Sequence, residues 1–282
     1  MADFSYHYGL KMRMFPSSKQ KRVINNNINA SRFAYNEMVA IDKELYSLQK
    51  VQIPIAIIED RIAYLKKRQN NTQMLFAIHP WLAGTGVGTD VIDQARRAYQ
   101  SAWRLFRRVH CSGVPVFHRK RNDGSYQLPT RYTKSAAGIM SGSNRFLDTK
   151  HVTISGLGKI RVSGSQKRLF SQADDIRVGT ITVRRDATDC YYLSMQLGSD
   201  TPFVETSQNN HPAVGIDLNT DNFLTDSDGK VVSNPRYYRA IKGRLAKQQR
   251  KLARRALRAK TEHRPLKDSK NYQKQRNLVS AL

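Results

Sequence analysis

The first fifteen residues alternate. Tyr6, Tyr8, Leu10, Met12 and Met14 share one parity, the period of a strand with one face buried. Pro16-Ser17-Ser18 stops that strand and can cap a helix. From Lys19 to about Leu48 the spacing becomes three to four, with Val23, Asn27, Ala30, Ala34 and Met38 on one side and Phe33 and Tyr35 beside them. Ile58, Ile62 and Leu65 predict another helix over Ile55–Gln69. His79-Pro80 to Gly88 reads as a Gly-rich loop, after which Thr89 or Asp90 caps a strong helix. Its apolar positions are Ile92, Ala95, Tyr99, Ala102, Phe106 and Val109.

Past Gly113 the period drops to two, punctuated by Gly, Asp and Asn. Strands are predicted at Val114–His118, Val152–Ser155, Lys159–Val162, Thr180–Arg184 and Tyr191–Leu197, with a hairpin turn at Asp186-Ala187-Thr188-Asp189. They form a small β-barrel or curled sheet. The strand before residue 15 joins it, which leaves a helical unit as an insertion into a β module. Thr201–Pro212 is polar, Pro-bounded and without period, a linker. Ala213–Leu218 is then a short apolar strand ending in a carboxylate. Asn222–Asp226 and Lys230–Val232 continue it as a meander around Ser227-Asp228-Gly229. Asn234-Pro235 opens a long helix from Arg236 to about Lys260. Beyond Pro265 the chain stays basic and is either irregular or a further helix. The fold class is α+β and multidomain.

Charge changes this picture most. The 282 residues hold 48 Lys and Arg against 22 Asp and Glu, a formal net charge of +26. Such an excess speaks of partners rather than of fold, and nucleic acid is the polyanion that fits. The excess is local. Arg96, Arg97, Arg104, Arg107 and Arg108 interleave with the apolar positions of their helix, and Arg119, Lys120 and Arg121 follow soon after. On the long helix Ile241, Leu245, Leu252, Ala256 and Ala259 form a thin apolar stripe. Arg244, Lys247, Arg250, Lys251, Arg254, Arg255, Arg258 and Lys260 fill the rest. A solvated helix normally interleaves Glu to gain i,i+4 pairs, and this one does not. Phe117-His118 and Arg131-Tyr132 add flat faces beside cations, a pattern suited to RNA, although Phe117 equally suits a core.

Other classes recede. No apolar run approaches the ~20 residues of a membrane span, no secretory segment opens the chain, and no lipidation signal stands at either end. Membrane is therefore not an expected partner. Cys111 and Cys190 lie far apart and outside any Cys-x-x-Cys pair, which suits buried or inert thiols in a reducing cytoplasm. At 39% hydrophobic there is material for real cores. Phosphate-loop and His-Glu-x-x-His motifs are absent. His79, His110, His118, His151, His211 and His263 are scattered as structural or surface residues.

Asp217 is the most informative residue. A carboxylate ending an apolar strand, with a meander behind it, resembles the first metal-binding Asp of ribonuclease-H-like nucleases. A two-metal phosphodiester cut holds two Mg²⁺ about 4 Å apart, so three or so carboxylates must converge. Taken alone, the Val214-Gly215-Ile216-Asp217 run equally suits an aspartate that caps a turn.

The longer pattern is more specific. Gly215-Ile216-Asp217-Leu218-Asn219-Thr220-Asp221-Asn222-Phe223, then Asp228-Gly229-Lys230, Asn234-Pro235-Arg236-Tyr237-Tyr238 and Leu245–Arg255, closely resemble the opening of the RuvC domain in the TnpB (OrfB) family. These are insertion-sequence proteins related to type V CRISPR effectors. Upstream, Ala30–Glu37 is similar to the family's first helix. Ala95–Arg108 followed by Gly113–Lys120 resembles its helix-to-strand junction, and Ile181–Asp186 with Tyr191–Ser194 its last β-module hairpin. The resemblance covers nearly the whole chain.

It implies a wedge-like split β-barrel (1–15 and 111–205), a helical recognition insert (16–110) and the N-terminal part of a RuvC-like nuclease domain (212–282). It further implies a guide RNA, a DNA target and Mg²⁺, with Asp217 as the first catalytic, metal-binding carboxylate. The long basic helix matches the one that braces the guide–target duplex. The family's second residue (a Glu), its third (an Asp) and a four-Cys zinc site find no counterpart. Asp221, Asp226, Asp228, Glu262 and Asp268 sit in no matching motif. The expectation is a C-terminally truncated relative that binds but does not cut alone. The alternatives are one half of a split nuclease completed by a separate C-terminal RuvC fragment, and a nuclease-dead RNA-guided regulator. A ribosomal-type RNA-binding protein would account for the charge but not for the pattern. The incomplete RuvC part is expected to fold poorly by itself, since such a sheet needs its remaining strands and helices.

Overall fold

The structure, a computed structural model, describes residues 4–51, 55–109, 111–134, 140–164, 176–203 and 214–282. The chain divides into two compact units, Met1–Glu205 and Thr206–Leu282. Most of the expected Thr201–Pro212 linker, Ala213, His110 and His211 lie outside the described residues.

Among the described residues, the first unit contains β1 (Tyr6–Phe15) and five helices: α1 (Ser18–Gln49), α2 (Ala56–Asn70), α3 (Thr72–Ile78), α4 (Trp81–Gly84) and α5 (Thr89–Arg108). Eight strands follow: β2 (Gly124–Leu128), β3 (Tyr132–Lys134), β4 (Met140–Gly142), β5 (Arg145–Asp148), β6 (His151–Ile154), β7 (Gly158–Ser163), β8 (Arg177–Arg185) and β9 (Tyr191–Ser199). Seven of these strands form one antiparallel sheet in the order β2-β8-β9-β1-β7-β6-β5, and β3 pairs with β4 separately. β1 thus sits at the sheet's centre, and all five helices intervene in the chain before the next strand.

The alternation of β1 turns Leu10, Met12 and Met14 inward. They join Leu193, Met195, Ile181 and Val183 from the sheet and Ile24, Ile28, Ile92 and Ala95 from the helices in one core. A second cluster, with Tyr35, Met38, Ile41, Leu45, Leu65 and Tyr99, holds α1, α2 and α5 together.

Ser17 starts α1 by a reciprocal capping box. Its hydroxyl accepts from the Gln20 amide at 3.4 Å, and Gln20 Oε1 accepts from the Ser17 amide at 2.9 Å. At α5 the sequence expectation fails. Gly88 is the N-cap, Thr89 and Asp90 are already helical, and Asp90 is engaged in an ion pair with Arg131. The predicted strand Val114–His118 is also absent. Asn36 takes up the backbone of His118 there, donating to its carbonyl at 3.0 Å and accepting from its amide at 2.7 Å, so no ladder forms. The loop expected before Gly88 contains the short α4. The Asp186 turn forms as predicted. Its Oδ1 accepts from the Thr188 amide, the Thr188 hydroxyl and the Cys190 amide. Cys111 is exposed rather than buried, and neither cysteine forms a disulfide.

The second unit contains β10 (Ile216–Asp217), β11 (Asn222–Asp226), β12 (Val231–Ser233), α6 (Tyr237–Thr261) and α7 (Lys270–Ser280). The three strands form an antiparallel meander. At its tight turn Gly229 takes φ 81°, which a side chain would resist, and Asp226 Oδ1 accepts from the amides of Asp228 and Lys230. The further helix beyond Pro265 is α7.

Candidate nucleic-acid interface

α6 carries ten Lys and Arg and no Asp or Glu over its 25 residues. At 3.6 residues per turn, Ile241, Leu245, Leu252, Ala256 and Ala259 fall within an arc of about 60°. All five are half-buried or buried, as are the flanking Ala246, Gln248 and Arg255. α7 covers part of that stripe. Gln275 is buried and donates to Gln248 Oε1 at 2.9 Å and to the Gln248 carbonyl at 3.3 Å. The helix ends in a Schellman turn. His263 takes φ 49°, its amide donates to the Lys260 carbonyl at 3.1 Å, and the Arg264 amide donates to Ala259 at 2.9 Å. Glycine, the usual signal for this turn, is missing, so no residue type announces it.

The cations divide into two sets. Arg244, Lys247, Arg250, Lys251 and Arg254 are exposed on the arc opposite the stripe. Arg255 borders the stripe and donates to the Asn271 carbonyl at 2.7 Å, which ties α6 to α7. Arg258 pairs with Glu262 at 2.8 Å, and Lys260 is exposed near the C-terminal end. The Arg258 pair holds the Glu262 carboxyl below its usual range, first through their hydrogen bond. Arg239 and Lys242, exposed on the same helix, were not singled out from sequence although the same charge pattern includes them.

In the first unit the basic residues of α5 also separate. Arg97, Arg104, Arg107 and Arg108 are exposed. Arg96 turns inward and donates to the Thr72 hydroxyl and the Gln69 carbonyl, joining α5 to the α2–α3 corner. Burial lowers its pKa, with Asp93 opposing the effect. Arg104 and Arg107 border a groove of about 480 Å³ whose floor includes Asp42, Tyr99 and Trp103. Asp42 accepts from the Tyr99 hydroxyl, from Trp103 Nε1 at 3.0 Å and from Gln69 Nε2 at 2.5 Å. Burial, then this bond, pushes the Tyr99 hydroxyl's pKa far up.

Arg119, Lys120 and Arg121 are exposed on the segment between α5 and β2. Beside them the His118 ring stacks on Tyr35 at 3.9 Å, and the Lys43 ammonium lies 4.5 Å from the Phe117 ring centre. Burial lowers the His118 pKa, with Arg32 adding to the effect. Tyr132 has its hydroxyl committed to Val178, as donor to the carbonyl at 2.9 Å and acceptor from the amide at 2.7 Å. Of the other histidines, His79 lies 3.9 Å from Glu37 and edge-on to Phe33, and His151 is bonded to Asp148 at 2.8 Å.

Asp217 is exposed in a two-residue strand that, among the described residues, pairs with β11, with Asp217 opposite Thr225. The fully apolar strand expected here is shorter and more open, because Ile216 is 62% and Leu218 68% exposed. Gly215 hands its backbone to Ser227 instead of extending the ladder. Among the described residues no group of three or more His, Cys, Asp or Glu is arranged to hold a metal ion. Asp217 therefore does not fit Mg²⁺ without further ligands.

Comparison with known proteins assigns both ends of the chain. Residues 194–282 match a family model of the OrfB type described as "Probable transposase", from within β9 to the last residue. Residues 7–50 match the family's "Helix-turn-helix domain", although here that stretch is β1 followed by one uninterrupted helix. A Streptomyces pristinaespiralis protein described as "Putative RNA-guided DNA endonuclease" is 23% identical over 246 residues. The match covers 87% of this chain, and the chain spans 54% of that relative's length.

Proposed function

Because the chain belongs to the OrfB (TnpB) family of insertion-sequence proteins, we propose that it binds nucleic acid through the open basic face of α6. The observation that carries this reading is the sorting of side chains on that helix. Its apolar stripe is turned away, Arg255 and Arg258 are engaged within the unit, and Arg244 to Arg254 stand in solvent with no acid on the helix to neutralise them. The first unit has phosphate-binding groups of its own in the exposed Arg97, Arg104, Arg107 and Arg108 on α5 and in Arg119 to Arg121.

The finer architecture in this reading is a wedge-like split barrel from 1–15 and 111–205 and a recognition insert at 16–110. The opening of a RuvC-like domain follows at 212–282. The central place of β1 and the helices that follow it support the first two. The match over residues 194–282 and the β10–β12 meander support the third. Guide RNA and target DNA are the partners proposed, in keeping with the relative's description. Asp217 is proposed as one metal carboxylate that acts only once others join it. The exposed Ile216 and Leu218 favour further strands or helices packing on this meander, whether from the same chain or from a separate one.

The test is a salt titration with duplex DNA. Binding weakens with salt at a log–log slope of roughly −0.9 per phosphate contact. Changing Lys247, Arg250, Lys251 and Arg254 together to Gln is expected to flatten the slope by about 3.6 units if each makes one contact. An unchanged slope removes α6 from the interface.

A further inference from the structure

The face of the seven-stranded sheet that turns away from the core carries an unusual layer. β1, β2, β6, β7, β8 and β9 contain no Asp or Glu at all. Outward positions fall in rows across the strands. Arg13 lies opposite Tyr192, and Phe15 opposite Arg161. Lys11 lies opposite Ser194, which faces Thr182, which in turn faces Gln127. The rings and cations of this layer touch. Arg13 and Arg161 place their guanidinium carbons 5.5 and 5.3 Å from the Phe15 ring centre, and the Lys11 ammonium lies 4.9 Å from that of Tyr192. Phe15 is nevertheless 45% exposed.

Beside this layer the face has a slot. Gly9 sits opposite Gln196 in the middle of β1, where a side chain would be ordinary. A Cβ placed there would meet no atom within 4 Å, so packing does not require glycine. The space above it is a groove of about 320 Å³ edged by Lys11, Gln127, Thr182, Ser194 and Gln196. These groups donate and accept hydrogen bonds and carry no negative charge.

Three features identify the occupant. The face is cationic, so the partner is a polyanion. Its aromatic and guanidinium groups offer flat surfaces, which favour bases whose faces are free, and a duplex hides those faces. Apart from Lys11, the polar side chains at the slot's edge are uncharged hydrogen-bonding groups, which suit a base edge, with Lys11 beside them for the strand's phosphate. We propose that this open sheet face is a second nucleic-acid site. It binds a single strand by stacking bases on Phe15 and Tyr192 and seats one base edge in the slot above Gly9. The proposal rests on the reading of the chain as a nucleic-acid-binding protein, and it adds a class of ligand and a surface distinct from α6.

The experiment measures fluorescence anisotropy with the full chain. The probes are an oligouridylate and an oligothymidylate of about twelve nucleotides, a length typical of such sheets, an abasic strand of equal length, and a duplex. Phe15→Leu and Tyr192→Leu are each expected to weaken single-strand binding on the order of ten-fold and to leave duplex binding unchanged. Gly9→Val fills the slot with a residue that strands favour, so it tests the site with the fold intact; it is expected to weaken single-strand binding alone. The abasic strand is expected to bind the unaltered chain no better than Phe15→Leu binds the uridylate. A ribose preference would mark RNA as the natural strand, and equal affinity would mark single strands of either sugar. Equal binding of abasic and base-bearing strands, or indifference to all three substitutions, overturns the sheet site and leaves the α6 reading standing. Failure of the unaltered chain to bind any probe overturns both.

Discussion

Asp42 holds the helical part of the first unit together, and its replacement by Ala should show this. Its carboxylate is the common acceptor for the Tyr99 hydroxyl, Trp103 Nε1 and Gln69 Nε2, so one residue of α1 receives donors from both α2 and α5. Tyr99 is only 4% exposed. Hydrogen bonds to a charged group contribute about 1.5–3 kcal/mol each, and a buried hydroxyl left without a partner costs about 1–3 kcal/mol. Because Trp103 and Gln69 can recover water, the net loss is expected near 3 kcal/mol rather than the sum. The chain's two tryptophans, Trp81 and Trp103, both lie in the first unit, so fluorescence follows that unit during urea unfolding. With a typical slope of about 1–3 kcal/mol per molar urea, the midpoint should fall by at least about 1 M. In a Tyr99→Phe background the same change should cost at least about 1 kcal/mol less, because the stranded hydroxyl is already gone. A loss below about 0.5 kcal/mol, or equal losses in both backgrounds, would refute the hub.

Three further outcomes follow from the core and its titrating groups. Met12, 1% exposed at the centre of the sheet, should cost about 2–5 kcal/mol when changed to Ala, read by the same unfolding assay. Burial raises the Tyr126 hydroxyl to about 12, with Asn27 opposing the shift. Its contribution is therefore complete below the ordinary tyrosine pKa of about 10 and is lost as pH rises toward 12. Tyr126→Phe should flatten that alkaline fall in a series of melts. Burial pushes the Asp186 carboxyl up, but the bonds from Thr188 and Cys190 outweigh it and hold its pKa below the usual value. The stability it gives is present above about pH 4 and is lost as pH falls through the depressed pKa. Hydrogen exchange in the β8–β9 turn should accelerate there, and Asp186→Asn should remove the acid step.

The long periodic elements were legible because their patterns repeat many times. β1, α1, α5 and α6 each show several turns or several alternations, and the Ser17 cap and the Asp186 turn use side chains whose local bonding is characteristic. Strands β2 to β5 were not foreseen, since three to five residues give too few alternations to rise above chance. Val114–His118 alternated well but lost its ladder to the Asn36 side chain, a contact 82 positions away that no local pattern contains. The same limit applies to charge. A row of arginines announces a basic helix, but only the packing shows that Arg96 turns to Thr72 and Arg255 to Asn271 while Arg97 and Arg254 remain in solvent. The cationic layer of the sheet was hidden for a related reason. Lys11 and Arg13 on β1 and Arg161 on β7 look unremarkable in two separate segments until pairing brings them together.

Lysine footprinting with an amine-reactive label, read by mass spectrometry with and without bound duplex, tests the central claim most directly. Lys247 and Lys251 lie on the exposed arc of α6 and should be protected, whereas Lys50, beside Tyr46 near the end of α1, should label equally in both states. Labelling of Lys247 and Lys251 that does not change when duplex binds would contradict the account.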